Sequence, residues 1–483
     1  MSAIRDSVPD AVVVGAGPNG LAAAITLARE GHAVQVLEGA TEVGGGSRSA
    51  ELTLPGFIHD VCSSIHPFGR TSPFFVEADL GRFGLRWIEP TAAVAHPLDD
   101  GSAVVVTRDV DETARTLGAD RDAYRRLLGP VVRGLPSLLP DILAPFHIPL
   151  RPRRALSLAW FGLNAVQPAT WLTRRFRGVR ARALFAGVAA HSVLRLDEPI
   201  SSAAGLALLA SAHDDGWPFP AGGAGEIPRA MAAALEDLGG SITTEHPVEG
   251  LEDLPRSRLA LFDTSPGALA RVARSRLPAG YRDKLQNVRY GPSVFKVDVA
   301  LDGPIPWRNP DVALAGTVHL GGTFEEIEAS EAAAARGEVH PRPFVLLAQH
   351  SLFDRSRAPD GRHTAWAYCH VPHASTADAS EAILGQVERF APGFRERVLA
   401  LKKTTPAELE AYNPNDVGGD ISGGRLDLRQ LFTRPVARID PYSTPDPRIF
   451  LCSSSTPPGG GVHGMCGWHA AHSAMRRLDA RRA

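Results

Sequence analysis

The chain has 483 residues, 44% of them hydrophobic, and a formal net charge of -2. That length exceeds one ordinary core and implies two interleaved domains, while nothing in the balanced charge suggests nucleic acid as a partner. The start, MSAIRDSVPD, carries no apolar signal core and no apolar run is long enough to span a bilayer, so a cytoplasmic location is expected.

The first element is a strand at Ala11–Val14, which runs into Gly15-Ala16-Gly17-Pro18-Asn19-Gly20 and an alanine-rich helical segment, Leu21 to Arg29. Strand, glycine turn and helix in that order fit a dinucleotide. Gly15 permits the tight turn, Gly17 lets a pyrophosphate approach the backbone, and Gly20 lets the helix pack on the strand. The anion then faces free N–H groups at the positive end of the helix dipole. A second strand, Ala33 to Leu37, delivers Glu38 where a carboxylate accepts from a ribose 2′-OH and repels a 2′-phosphate. In the following glycine run, Thr41 to Ser49, Ser47 or Arg48 could reach a phosphate, although such a run is also an ordinary flexible loop. Gly56 to Pro67 holds His59, Asp60 and His66, whose spacing matches no metal site and reads equally as structural hydrogen bonding.

Residues 93–107 read as a β-hairpin around Asp99-Asp100-Gly101-Ser102. Asp109 to Leu139 is mostly helical and is expected to break near Pro130 and Pro136. Between Asp141 and Asp197 there is no acidic residue, while Arg151, Arg153, Arg154, Arg174, Arg175, Arg177, Arg180, Arg182 and Arg195 alternate with Trp160, Phe161, Trp171, Phe176 and Phe185. That composition suits a surface resting on anionic lipid through residues 146–190, and it equally suits a helical cap whose arginines pair with acids elsewhere. Ser201 to Ala212 reads as a buried helix, and Glu226 to Leu238 as an amphipathic helix closed by Gly239-Gly240. Strands at Ser241–Glu245 and Arg258–Asp263 return to the nucleotide-binding sheet, the second ending in Asp263-Thr264-Ser265-Pro266. Val294–Leu301, Phe344–His350 and His363–His370 form a second, mixed sheet, with a charged helix over 323–336. After a strand at 448–452, the loop Gly459-Gly460-Gly461-Val462-His463-Gly464 leads into a last helix, His469 to Leu478. No second GxGxxG precedes a helix, so one dinucleotide is expected. Cys62, Cys369, Cys452 and Cys466 never form a CxxC pair, which supports neither a redox dithiol nor a metal site.

The GAGPNG start, Glu38, the Gly44-Gly45 pair, the Asp263-Thr264-Ser265-Pro266 return and the Pro458 to Gly464 ending resemble the phytoene dehydrogenase-related FAD oxidoreductases, a superfamily that includes amine oxidases, carotenoid isomerases and retinol saturases. The resemblance implies an α/β fold: a discontinuous Rossmann-like FAD-binding domain (1–95, 221–290, 443–483), a helical cap with part of the substrate domain (96–220), and a substrate-domain sheet (291–442). It implies that Gly15, Gly17, Pro18, Asn19 and Gly20 hold the FAD pyrophosphate and Glu38 the ribose. Gly45, Gly46 and Ser47 then line the ribityl region, Val248 meets adenine on a short strand, Thr264 borders the pyrophosphate, and Gly461, Val462 and Met465 approach the flavin. Gly46 stands where carotenoid desaturases and amine oxidases carry an arginine, which weakens a direct reading as phytoene desaturase. His463 and His66 are the candidate proton-transfer residues, each balanced against a structural hydrogen bond.

The expectation is an FAD-dependent enzyme that desaturates or oxidises a hydrophobic, polyene-like substrate and is reoxidised by oxygen or a quinone. Three alternatives stand beside it: a reduced-flavin isomerase or saturase, a flavin-stabilised binding protein, and a nicotinamide dehydrogenase. The last has no need of the Gly459–Gly464 loop.

Overall fold

The computed structural model describes residues 8–147, 152–431 and 433–479. Arg151 and residues 148–150 of the basic segment lie outside the described residues. Among the described residues sixteen strands, β1 to β16 in chain order, fall into four sheets. The first is parallel, in the order β16-β10-β1-β2-β9, and is built from β1 (Ala11–Val14), β2 (Val34–Leu37), β9 (Ser241–Thr243), β10 (Leu259–Phe262) and β16 (Ile449–Leu451). Burial on both faces explains its near-continuous apolar strands. Three distant parts of the chain therefore meet in one sheet.

The seven-stranded sheet runs β15-β11-β14-β13-β12-β6-β7. Its strands are β6 (Ala92–Pro97), β7 (Ala103–Val106), β11 (Ser293–Leu301), β12 (Ala315–Leu320), β13 (Val345–Ala348), β14 (His363–Val371) and β15 (Val398–Thr404). All its pairings are antiparallel except β6 with β12. Two short ladders, β3 (Ser49–Glu51) with β4 (Ile58–Asp60) and β5 (Trp87–Ile88) with β8 (Phe219–Pro220), connect the layers.

Alternation along the large sheet separates two environments. One face, including Phe295, Val297, Val318, Leu320, Val345, Leu347, Ala367 and Cys369, packs into an apolar core with the helix Ser380–Phe390. The opposite face carries Lys296, Asp298, Thr317, His319, Trp366 and Tyr368. Over that face lie the cap helices Arg121–Ile142, Pro152–Ala165, Val179–Ala189 and Ser201–Asp214.

The structure departs from the sequence expectations at several places. Pro130, Pro136 and Pro140 lie within the unbroken helix Arg121–Ile142. An internal proline costs about 3 kcal/mol, and the buried stripe Leu127, Leu128, Val131, Leu135, Leu138 and Leu139 offsets it; Pro136 itself is exposed. The break falls earlier, at Leu117–Asp120. Strand β6 already belongs to the large sheet, so the chain leaves the first domain ahead of residue 92, not at 95. The last helix begins at Met465, four residues earlier than its pattern suggests.

The helix Pro18–Arg29 is buried at every position from Gly20 to Ala28 because it is enclosed by the first sheet, the helix Glu226–Asp237 and the last helix, Met465–Asp479. A Cβ on Gly467 would lie 1.8 Å from the Asn19 carbonyl oxygen and 2.8 Å from the Ala23 nitrogen. Gly467→Ala gains about 1 kcal/mol of helix propensity but forces two backbones apart, which costs about 3 kcal/mol or more. The expected net effect is a lower melting temperature by several degrees in a thermal unfolding scan; an unchanged or raised value would mean that propensity wins.

Candidate cofactor and substrate site

The site starts where β1 ends. Gly20 is required by contact, since a Cβ there would lie 2.1 Å from the Gly15 carbonyl oxygen. Glu38, at the end of β2, folds back on the glycine turn: one carboxylate oxygen accepts from Ala16 N–H at 2.7 Å and the other from Ala40 N–H at 2.9 Å. The second glycine run is pinned to the first by the Gly44 N–H, which donates to Ala16 O at 2.9 Å. A Cβ on Gly45 would lie 3.2 Å from the Gly17 Cα. Only bare backbone fits between the two loops.

Asp263, at the end of β10, accepts the Gly20 N–H at 2.8 Å. Burial pushes its carboxyl up to about 7, with the nearby Glu38 charge acting in the same direction. The Gly20 N–H is thus taken by a side chain, and Gly20 serves close packing.

The C-terminal loop completes this end. Val462 has φ 51, in the left-handed region that a β-branched residue rarely adopts. Such local strain persists where surrounding structure holds a loop in a functional shape. His463 Nδ1 accepts the Met465 N–H at 3.1 Å, so this histidine caps the last helix. Burial lowers it to about 4.

A single cavity of about 930 Å³ joins these loops to the cap. At one end its wall is Gly17, Pro18, Asn19, Gly45, Gly46, Ser47, Gly461, Val462 and His463; at the other it is Leu143, Leu158, Phe161, Ala165 and Leu208. Two buried polar atoms at the loop end have no partner, Asn19 Oδ1 and Arg434 Nη1. The Arg434 guanidinium donates to the carbonyls of Ser422, Gly423, Ser454 and Ser455. It forms no ion pair with any carboxylate among the described residues. Asp416 also lines the cavity, and burial pushes its carboxyl up to about 8.

Against this geometry, residues 13–77 match the NAD(P)-binding Rossmann-like domain family. The chain is 28% identical to "Pyridine nucleotide-disulfide oxidoreductase domain-containing protein 2" of Rattus norvegicus, over 97% of this chain and 94% of that protein. It is 24% identical to the phytoene desaturase (neurosporene-forming) of Cereibacter sphaeroides, over 98% of this chain and 95% of that one. Among solved structures, an oxidoreductase from Methanosarcina mazei shares the fold with a TM-score of 0.65 and 16% identity, covering 96% of this chain and 99% of that one. Over nearly its whole length the chain is thus similar to proteins named as oxidoreductases and phytoene desaturases.

Several residues stand elsewhere than the sequence suggests. His66 does not line the cavity, although its neighbours Ile65 and Pro67 do; its ring packs on Trp87 at 6.0 Å and burial lowers it to about 4. Arg48 turns away to the carbonyls of Val43 and Glu42 and lies over the Tyr412 ring, so it does not reach the cavity. Val248 sits in irregular chain, not on a strand, because β9 ends at Thr243; the adjacent His246 N–H donates to Glu38 O. Thr264, Gly15, Gly20, Glu38 and Met465 are outside the cavity wall, Met465 being packed into the core. His59 and Asp60 serve a buried network: Asp60 takes both Arg357 Nη atoms at 3.1 and 2.8 Å, and His59 bonds Thr53. Among the described residues no cluster could hold a metal. The four cysteines are free, and burial pushes the Cys466 thiol up to about 11.

Asp263, Asp416 and Arg434 were not evident from sequence because each acquires its role from partners or walls far along the chain. Asp263 makes a specific pH dependence. With a folded value near 7 against an ordinary 3.8, the folded chain holds a proton that the unfolded chain gives up between about pH 4 and 7. Its contribution therefore falls as pH rises through that window. Asp263→Asn keeps an acceptor for Gly20 N–H and removes the titration. Urea unfolding is expected to show a flatter profile over pH 4 to 7 and a gain of roughly 1–3 kcal/mol at pH 8; an unchanged slope would remove Asp263 as the cause.

Proposed function

We propose that this chain is an FAD-dependent oxidoreductase that desaturates a hydrophobic, polyene- or isoprenoid-like substrate. The observation that supports it most is the continuity of one cavity from three glycine loops to an apolar cap. The residues fit the cofactor: loops that admit only backbone, and unpartnered Asn19 Oδ1 and Arg434 Nη1 on the wall. Gly17 and Asn19 would hold the diphosphate, Glu38 the adenosine ribose, Gly45 to Ser47 the ribityl chain, and Gly461 and Val462 the ring. Glu38 disfavours a 2′-phosphate. Bound FAD supplies the hydride acceptor.

The protein's own residues do the rest. Phe161, Leu158, Leu208 and their neighbours exclude water and align an apolar chain. Asp416, a carboxyl that burial holds near neutrality, is the cavity group suited to take the substrate proton. His463 and His66 keep structural roles, the first because its Nδ1 is committed to the helix terminus. Oxygen or a quinone is the proposed electron acceptor.

The cap is the proposed entrance, resting on anionic lipid. On the helix Pro152–Ala165, Leu156, Trp160 and Leu163 follow i, i+4, i+7 spacing and are 73, 43 and 67% exposed. The opposite side of the same helix, with Leu158, Gly162 and Ala165, lines the cavity. Arg174, Arg175 and Arg177 are exposed nearby with no carboxylate partner among the described residues, whereas Arg154, Arg182 and Arg195 are paired with Asp141, Glu325 and Asp197. No helix of the described residues is long and apolar enough to cross a membrane.

The visible spectrum of the purified protein, before and after denaturation, tests the cofactor. A flavin spectrum with release of FAD is expected, together with one acceptor consumed per turnover on polyene substrates. A protein that stays colourless after addition of FAD would overturn the reading, and turnover without acceptor would make it an isomerase. Flotation with anionic liposomes is expected for the parent and reduced at least fivefold when Arg174, Arg175 and Arg177 are all changed to Glu; failure of the parent to float would remove the lipid contact.

A further inference from the structure

The polar face of the large sheet forms the cavity floor, and its register sets neighbours side by side. Thr317 on β12 pairs with Ala348 on β13, which pairs with Trp366 on β14. All three line the cavity. Ala348 contributes only a methyl group between two larger side chains, which leaves a recess over it. Thr317 Oγ1 and Trp366 Nε1 are buried and have no hydrogen-bond partner. Tyr368, two residues along the same face of β14, packs edge-on against Trp366 at 5.1 Å, lines the same cavity, and makes no hydrogen bond through its hydroxyl.

Two buried groups without partners and a hydroxyl that faces the cavity, all on the two strands that flank β13, are costly for a sheet that fills its other face with Val, Leu and Ala. An apolar set here, such as Val and Phe, would satisfy the packing alone. The indole N–H can only donate, so the missing partner must offer a lone pair. Its charge follows from what surrounds the recess. Lys296 is paired with Asp298, so the lysine on this face is already matched, and His370 Nδ1 lies 2.7 Å from a Glu331 carboxylate oxygen. His191, which lines the cavity and lies 3.0 Å from His319 through the two Nε2 atoms, is held down to about 3 by burial and is neutral at physiological pH. A carboxylate at the recess would meet no unmatched charge on the sheet, since the cavity's unpaired guanidinium, Arg434, is held at the loop end by the carbonyls of Ser422 and Ser454, and it would lose its hydration.

We infer that the recess over Ala348, bounded by Thr317, Trp366 and Tyr368, binds one neutral carbonyl or hydroxyl oxygen on an otherwise apolar substrate. This rests on the reading of the cavity as the substrate site. It refines the substrate class: a plain hydrocarbon leaves the donors unmet, whereas an isoprenoid ketone, aldehyde or alcohol satisfies them and fixes which carbon faces the cofactor end.

The test compares an isoprenoid ketone with the hydrocarbon in which CH2 replaces C=O, each displacing a fluorescent apolar probe from the purified protein. The ketone is expected to bind about tenfold more tightly to the parent. In the variant carrying Thr317→Val, Trp366→Phe and Tyr368→Phe, the ketone is expected to fall to the hydrocarbon's affinity while the hydrocarbon's own affinity holds within twofold. Each single change, Thr317→Val and Tyr368→Phe, is expected to remove part of the preference, so a triple variant that fails to fold does not end the test. Equal binding of the two ligands by the parent, no displacement by either, or a preference that survives the substitutions overturns the inference. The visible spectrum of the same samples separates the two readings. A colourless protein that prefers the ketone overturns the flavin and keeps the recess, and a yellow protein without preference does the reverse.

Discussion

The site depends on backbone meeting backbone with nothing in between. Gly20 against the Gly15 carbonyl, Gly45 against Gly17, and Gly467 against Asn19 are three contacts in which a single methyl group would separate the partners. Together they draw residues 11–29, the second glycine run and the last helix into one rigid corner. The alanines of the first helix serve the same end, because small side chains let it sit against the sheet and two helices at once. Hydrogen bonds then fill the remaining needs of the corner, with Glu38 on Ala16 and Ala40 and Asp263 on Gly20. Close packing comes first here, since those bonds have suitable length only after the backbones are in place.

A second constraint joins the corner to the large sheet. Arg357 makes a two-point contact with Asp60, which also accepts from Ser49, Ser64 and the Ala224 N–H. Taking both charges out of water costs more than an apolar pair of the same volume would, so the pair's value is directional. It fixes residues 49–64, 224 and 357 in one register, and the loops of the first domain thereby meet the floor of the second. Lys296 and Asp298 do the same within the sheet. Because these charges are matched internally, the groups left facing the cavity, Asp416 and Arg434 among them, are those with unmet chemistry.

Local pattern made much of the fold legible. Periodicity of two and of 3.6, with glycine and proline as punctuation, marks β1, the first helix, Glu38, the returning strands β9 and β10, and the final glycine loop. Each of those signals is contained within one short stretch of neighbouring residues. What escaped notice depends on distance along the chain. Asp263 is 243 residues from the Gly20 it serves, and Arg434 is recognisable only once Ser422 and Ser454 have been folded around it. Strand β12, Ala-Gly-Thr-Val-His-Leu, was missed because its glycine and histidine weaken the strand pattern, and β15 because two lysines follow its apolar start. The prolines of residues 121–142 misled for the opposite reason: a strong local signal was outweighed by a buried stripe.

The cavity is walled by two unlike elements, and their difference bears on how the proposed apolar substrate would be positioned. The large sheet buries an apolar face against its own helix and turns the other, with Thr317, Trp366 and Tyr368, to the cavity. The helix Pro152–Ala165 is apolar on both sides, one toward the cavity and one outward. An apolar wall holds a hydrophobic chain but cannot fix its position along the cavity, since dispersion contacts change little as the chain slides. Position requires a directional contact, and the sheet provides directional groups only opposite the apolar helix. On the proposed reading, a helix that is apolar on both sides would supply entry, and a sheet with unpartnered polar groups would supply registration. The proposed chemistry at the glycine-loop end would need both, because hydride transfer from a long chain requires one carbon to stop at one point.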